Sequence, residues 1–228
     1  MNADCAVVFD VDGVLLDLTR PEEDAFFAPF ERLYGLTGLS RDWDSYRVRN
    51  DEEIIGELLE RHLGRRPDRR EMDAHLRAYV DHLASGYREG ALAVEIIPGA
   101  PELLETLNGR ASLGIATANI LGAAEIRLGL AGLWTSVSAH AGGADGGGAK
   151  KEVLRRVMDR LKLPPERIVF IGDNLNDVEA GLANGVHFIG FALDPARRER
   201  LKTAGAPLLS GDHGTTLDHI RDALKLAP

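Results

Sequence analysis

The chain has 228 residues, 44% hydrophobic and 28% charged, enough apolar material for a buried core and too much for a disordered chain; the length fits one large domain or one domain with an insertion. Its 36 acidic residues outnumber 27 basic ones for a formal charge of −9, with no Lys/Arg block, which argues against nucleic acid or an anionic membrane surface as partner. The lone Cys5 excludes an internal disulfide, and with no leader-like segment and no apolar run near the ~18 residues of a membrane span, a cytoplasmic protein is expected.

The first predicted strand, 5–10, ends in Asp10-Val11-Asp12-Gly13. Residues i and i+2 of an extended chain face the same way, so Asp10 and Asp12 can address one spot while Gly13 turns the backbone away. A simple carboxylate turn at a strand end reads alike. A calcium loop does not, because Val14 and Pro21 stand where it needs ligands. Residues 17–97 read as amphipathic helices at about 21–35, 51–63 and 68–88, closed by the breaker Pro98-Gly99-Ala100-Pro101 and a helix start.

The next strand, 112–117, ends in Thr117, then Ala118 and Asn119. A hydroxyl and free N–H groups there suit a phosphate or oxyanion, although Asn119 as a plain helix cap fits equally. A weak strand is expected near 136–139, and the glycine-rich stretch 142–148 reads as a mobile surface loop. Lys150 and Lys151 then open a helical pattern, against the macrodipole preference, so an anion facing one of them would explain the placement; a solvated pair is the plainer reading. Lys151 also stands where a nucleotide-binding P-loop needs Ser or Thr.

A strand at 167–171 runs into Gly172-Asp173-Asn174-Leu175-Asn176-Asp177, and a last one covers 186–191. With a helix starting near Asn174, Asp173 lies at its mouth and Asp177 one turn in. Strands alternating with helices predict an α/β fold with a parallel sheet, whose ligands bind beyond the carboxyl ends of the strands. Capping alone explains Asp173 but not four polar strand ends on one edge. Four carboxylates in one cleft repel unless a hard cation such as Mg²⁺ lies between them.

In this order, Asp10-Val11-Asp12-Gly13-Val14, Thr117, a Lys at 150 or 151, and Gly172-Asp173 with Asp177 resemble the four motifs of the haloacid dehalogenase superfamily, in its phosphatase branch, across the whole chain. The resemblance implies a Rossmann-like three-layer parallel-sheet core, residues 1–16 and 98–228, with an inserted α-helical cap at 17–97. It further implies a Mg²⁺-dependent phosphatase of the phosphoglycolate phosphatase-like kind, acting on a small phosphorylated metabolite as a monomer or homodimer. Asp10 would be the nucleophile that forms an aspartyl-phosphate, and Asp12 the general acid and then base. Thr117, with Ala118 and Asn119, would hold phosphoryl oxygens, and the motif lysine would neutralise charge. Lys150 is preferred by its interval to Val153-Leu154, while Lys151 stays open because the usual following Pro is missing. Asp10, the Asp12 carbonyl and Asp173 would hold Mg²⁺, with Asp177 direct or through water.

An acid at Asp12 sets the chain apart from the dehalogenases that name the superfamily. The absence of any lysine from 17 to 97 sets it apart from the phosphonate-cleaving members. A phosphomutase resembling β-phosphoglucomutase is the enzyme alternative, and a catalytically silent binding module is the other. In the cap, Arg47 or Arg49, with Tyr46 or Asn50, is expected to reach a second anionic or hydroxyl group of the substrate. The competing arrangement packs Trp43 and Tyr46 into the cap and pairs both arginines with Asp42, Asp44 and Asp51. The seven histidines show no ligand spacing and are given no role.

Overall fold

The computed structural model describes residues 4–227. Strand β1 (Ala6–Phe9) leads through the two-residue β2 (Leu16–Asp17) into α1 (Arg20–Tyr34), α2 (Asp51–Leu63) and α3 (Arg69–Arg88), and β3 (Glu95–Ile96) returns the chain to the sheet layer. There follow α4 (Ala100–Leu107), β4 (Ser112–Ala116), α5 (Leu121–Leu130), α6 (Trp134–Val137), β5 (Ala141–Gly142) and α7 (Lys150–Leu161). The chain ends in β6 (Ile168–Gly172), α8 (Leu175–Asn184), β7 (His187–Phe191), α9 (Pro195–Thr203), β8 (Leu208–Ser210) and α10 (His213–Leu224).

Six strands pair in parallel in the order β5–β4–β1–β6–β7–β8, while β2 and β3 form a separate antiparallel ribbon. The central strands are buried on both sides, so each splits its side chains between two cores. Val7 and Phe9 of β1 join Val169, Ile171 and Ile189 beneath α4, α5 and α10. Ala6 and Val8 join Phe170 and Phe188 beneath α7, α8 and α9. That period-two division makes three layers, and it leaves the carboxyl ends of β1, β4 and β6 on one edge.

The cap helices have strong local start and stop signals. Thr19 and Glu22 form a capping box at α1, Asp68 and Glu71 another at α3, and Asn50 caps α2. Left-handed Gly35 and Gly64 end α1 and α2. Their apolar faces meet in a third core of Phe26, Phe30, Ile55, Leu59, Leu76 and Leu83, which also takes in Ile120 and Ala123 from beside β4. The cap therefore packs directly on the sheet domain. Among the described residues no helix is long and apolar enough to cross a membrane.

Two expectations need correction. The stretch 136–139 is not a strand: Leu133 and Val137 are buried at helical i, i+4 spacing, so α6 and a 3₁₀ turn over Ser138–His140 occupy it, and the edge strand follows at Ala141–Gly142. The glycine-rich segment is not a free surface loop. Ala144 N–H donates to Asn119 O (2.8 Å), Gly146 N–H to Glu52 Oε2 (2.9 Å), and Asp145 Oδ2 accepts from Leu121 N–H (2.6 Å). Its Gly146, Gly147 and Gly148 take φ of 85°, 70° and 90°, three left-handed residues in a row, a path that side chains with a Cβ resist. Strands β2, β3 and β8 add to the expected ones; with two or three residues each they carry no readable alternation.

Candidate active site

Asp10 leaves β1 still paired to the sheet, its N–H donating to Ile171 O at 2.8 Å. Its Oδ1 accepts from Val11 N–H (2.7 Å) and faces the Lys150 ammonium at 2.7 Å. Lys150, the first residue of α7, is buried and also lies 2.9 Å from Asp177 Oδ1. Lys151 turns outward to Glu179 (3.0 Å). Of the two lysines, Lys150 is the one the fold turns inward.

Asp173 and Asp177 come from the end of β6 and the first turn of α8, as their spacing suggested. Asp177 Oδ2 accepts from the N–H groups of Asp173 (3.2 Å) and Asn174 (3.1 Å), a capping arrangement that fixes the turn. Gly13 lies against Asp173: a Cβ there would fall 2.0 Å from Asp173 Oδ2, and φ is 74°.

Asp10, Asp173 and Asp177, all buried, each offer an oxygen within 4.8 Å of the others. Burial, then repulsion from Asp177, push the Asp10 carboxyl well above the usual range against the pull of Lys150. The same two causes raise Asp173, opposed by Arg197, whose Nη2 lies 2.8 Å from Asp173 Oδ2. Burial alone would lower the Lys150 pKa, but Asp10 and Asp177 outweigh it and raise the ammonium above its ordinary value. Three buried carboxylates thus face one ammonium and one guanidinium, an excess of negative charge. An all-oxygen anionic set of this kind fits Mg²⁺.

Asp12 is held by a different group. Arg127 Nη1 donates to Asp12 Oδ1 (2.7 Å), and Asn119 Nδ2 donates to Asp12 Oδ2 (3.0 Å). Asn119 side-chain atoms therefore address Asp12, while the expected phosphoryl role concerns the backbone N–H groups after Thr117. Its backbone N–H donates to Thr117 Oγ1 (3.1 Å), leaving the Thr117 hydroxyl proton free to point into the cavity that Thr117 and Ala118 line.

That cavity, about 310 Å³, lies between the sheet edge and the cap, walled by Asp10, Asp12, Thr117 and Lys150 below and Trp43, Arg49 and Ile54 above. Arg49 Nη1 crosses to Asn174 Oδ1 on the core at 2.9 Å. Arg47 does not reach the cavity; it lies over α2, 3.3 Å from Glu57 and 2.7 Å from Glu60, because those carboxylates present a closer anionic partner. Tyr46 is buried, its hydroxyl donating to Ser40 O (2.6 Å), and Trp43 stacks on Phe27. Asp51 N–H donates to Ala118 O (2.9 Å) and Asp51 Oδ2 accepts from Ile120 N–H (2.9 Å), so the start of α2 is bonded to the loop after β4.

The residues missed by sequence reasoning are Arg127, Glu22, Arg197 and Asp51. Arg127 did leave a signal. In the apolar run of α5 it occupies a face with Ala123, Ala124 and Leu128, where a hydrophobic residue is expected. Arg197 had none, being one basic residue among several on an exposed helix.

A family model described as haloacid dehalogenase-like hydrolase matches residues 6–185. A curated relative, the tyrosine-protein kinase PtkA of Mycobacterium tuberculosis, is 24% identical over 221 residues, covering 96% of this chain and 72% of that protein. Among solved structures, CbbY from Rhodobacter sphaeroides in complex with phosphate is similar at a TM-score of 0.71 and 24% identity, over 91% of this chain and 94% of that one. A hydrolase from Pseudomonas syringae aligns at a TM-score of 0.69 and 19% identity, over 96% and 98%. With the family model spanning the sheet edge and the cap alike, the chain belongs to the haloacid dehalogenase-like hydrolases.

Proposed function

We propose that the protein is a Mg²⁺-dependent phosphatase that hydrolyses a small phosphorylated metabolite through an aspartyl-phosphate on Asp10. The observation that carries this reading is the pairing of Asp10 with Lys150 at 2.7 Å beside Asp12, at the floor of a cavity closed over by the cap. The oxygen of Asp10 that does not face Lys150 attacks phosphorus, and the ester oxygen leaves with a proton from Asp12. Asp12 then takes a proton from water as that water attacks the acyl phosphate, releasing inorganic phosphate and restoring Asp10. Lys150 offsets negative charge on Asp10 and the transferring group, and Thr117 Oγ1 donates toward a phosphoryl oxygen. Asp10, Asp173 and Asp177, with the Asp12 carbonyl, would hold Mg²⁺, which supplies Lewis-acid stabilisation of phosphoryl charge. Arg49 would meet a second anionic or hydroxyl group of the substrate.

A hydrolysis screen over phosphorylated sugars, small acids and nucleotides tests this, with Asp10→Asn as the blank. Phosphate release that needs Mg²⁺ and no bisphosphate activator is expected, and Asp10→Asn should abolish it. Transfer between hydroxyls with little free phosphate would instead support the phosphomutase reading. Transfer from ATP to a tyrosine peptide would support the activity that the mycobacterial relative's name carries. Activity unchanged in Asp10→Asn would overturn the site.

A further inference from the structure

We propose that Arg127 is the positioning residue for Asp12, tying the orientation of that carboxylate to the seating of cap helix α1. The inference rests on the phosphatase reading and deepens it. Arg127 is 2% exposed, and its guanidinium is shared by three parts of the molecule. Nη1 reaches Asp12 Oδ1 at 2.7 Å and Asn119 Oδ1 at 3.2 Å, on the core. Nε reaches Glu22 Oε1 at 2.8 Å, on the cap, and Nη2 reaches Asp17 O at 3.1 Å, on the ribbon that joins them. Since Asn119 takes the other oxygen of Asp12, both oxygens are held and the side chain has one orientation.

Glu22 is as fully committed. Its Oε1 takes Arg127 and the Tyr87 hydroxyl, and its Oε2 takes the N–H and hydroxyl of Thr19 in the α1 capping box. Asp12 is therefore oriented by a guanidinium that is itself oriented by the first turn of α1 and, through Tyr87, by the end of α3. A planar fork with fixed donor directions suits this three-way junction, and a lysine ammonium does not. If α1 shifts away from α5, Arg127 loses Glu22 and is no longer held in the direction from which it donates to Asp12. Both contacts on Asp12 are donors, so with the cap seated they meet the negative charge that Asp12 acquires as its proton passes to the leaving group.

The test separates a positioning role from a structural one by the leaving group. Wild type, Arg127→Met, Arg127→Lys, Asp12→Asn and the Asp12→Asn/Arg127→Met double variant are assayed with Mg²⁺ on p-nitrophenyl phosphate and on glycerol phosphate. The nitrophenolate burst reports attack by Asp10 on an ester whose leaving group needs no proton. Arg127→Met should lower kcat on glycerol phosphate by about 100-fold, the scale of general-acid catalysis, with the burst rate changed by less than about threefold. Arg127→Lys should recover part of the loss, and the double variant should be no slower on glycerol phosphate than Asp12→Asn alone. A burst rate on p-nitrophenyl phosphate that falls as far as kcat on glycerol phosphate, or additive losses in the double variant, would overturn the inference while leaving the phosphatase reading intact. A wild type that hydrolyses neither ester with Mg²⁺ would overturn that reading and the inference with it. Should Arg127→Met lose its fold by circular dichroism, Tyr87→Phe, which removes one bond to Glu22, carries the same comparison: the ratio of the two rates should shift in the same direction, and an unchanged ratio overturns the inference.

Discussion

Asp51 shows how one residue can be placed by two elements at once. It stands in the first turn of α2, where the helix dipole welcomes a carboxylate, yet α2 drives it into the loop after β4, away from water. Burial raises its pKa to about 7, more than the Ile120 N–H bond lowers it. The folded chain thus binds a proton between about pH 4 and 7 that the unfolded chain does not, so stability falls as pH rises through that interval and the full cost applies above pH 7. Asp51→Asn keeps an acceptor for Ile120 and removes the charge. Urea midpoints should rise most at pH 8, by at most about 4 kcal/mol in free energy, with the gain shrinking toward pH 4. A gain independent of pH would show that burial of the charge is not the cause. In sequence Asp51 was legible only as a possible partner for Arg47 or Arg49, because nothing in its own helix says what lies across from the first turn.

At the scale of elements, Asp173 and Asp177 share a helix start, and their spacing alone brings both into the buried cluster. Asp10 and Asp12 share a strand end and line one cavity, but their carboxylates part, Asp10 to Lys150 and Asp12 to Arg127 and Asn119, which spacing along one strand does not reveal. What joins the two pairs is a close approach at Gly13, where the turn after β1 passes the Asp173 carboxylate. Gly13→Ala would set a Cβ 2.0 Å from Asp173 Oδ2 at a φ of 74°, and neither can relax without moving the turn or the carboxylate. The variant should fold with a lower midpoint and bind Mg²⁺ more weakly than wild type by calorimetric titration. Wild-type Mg²⁺ affinity in Gly13→Ala would show that Asp173 is not held where the ion needs it. The misread stretch at 136–139 belongs to this scale too: Ser-Val-Ser-Ala alternates like a strand, but Leu133 reaches the core with Val137 only if the segment coils.

Across the whole molecule, the carboxylates lie just past β1, just past β6 and in the first turn of α8, and β1 and β6 are more than 150 residues apart in the chain yet adjacent in the sheet. A cation among them links both halves of the fold and binds the folded state alone, so Mg²⁺ should raise Tm. At a hundredfold excess over Kd the gain is about 2.7 kcal/mol, or roughly 5–10 °C for a chain of this size. EDTA should reverse the shift. A Tm that does not respond across a Mg²⁺ titration would count against the site. Neighbouring residues alone carry the α/β fold, the helical insertion and the polar ends of β1, β4 and β6, since doubly buried strands and i, i+2 or i, i+4 spacing are local patterns. Packing between segments sets the rest: Lys150 turns in and Lys151 out, Arg47 stays on the cap while Arg49 crosses to the core, and Arg127 joins Glu22 to Asp12. Those outcomes depend on which surfaces pack together, and packing between distant segments leaves no period in the sequence of either one.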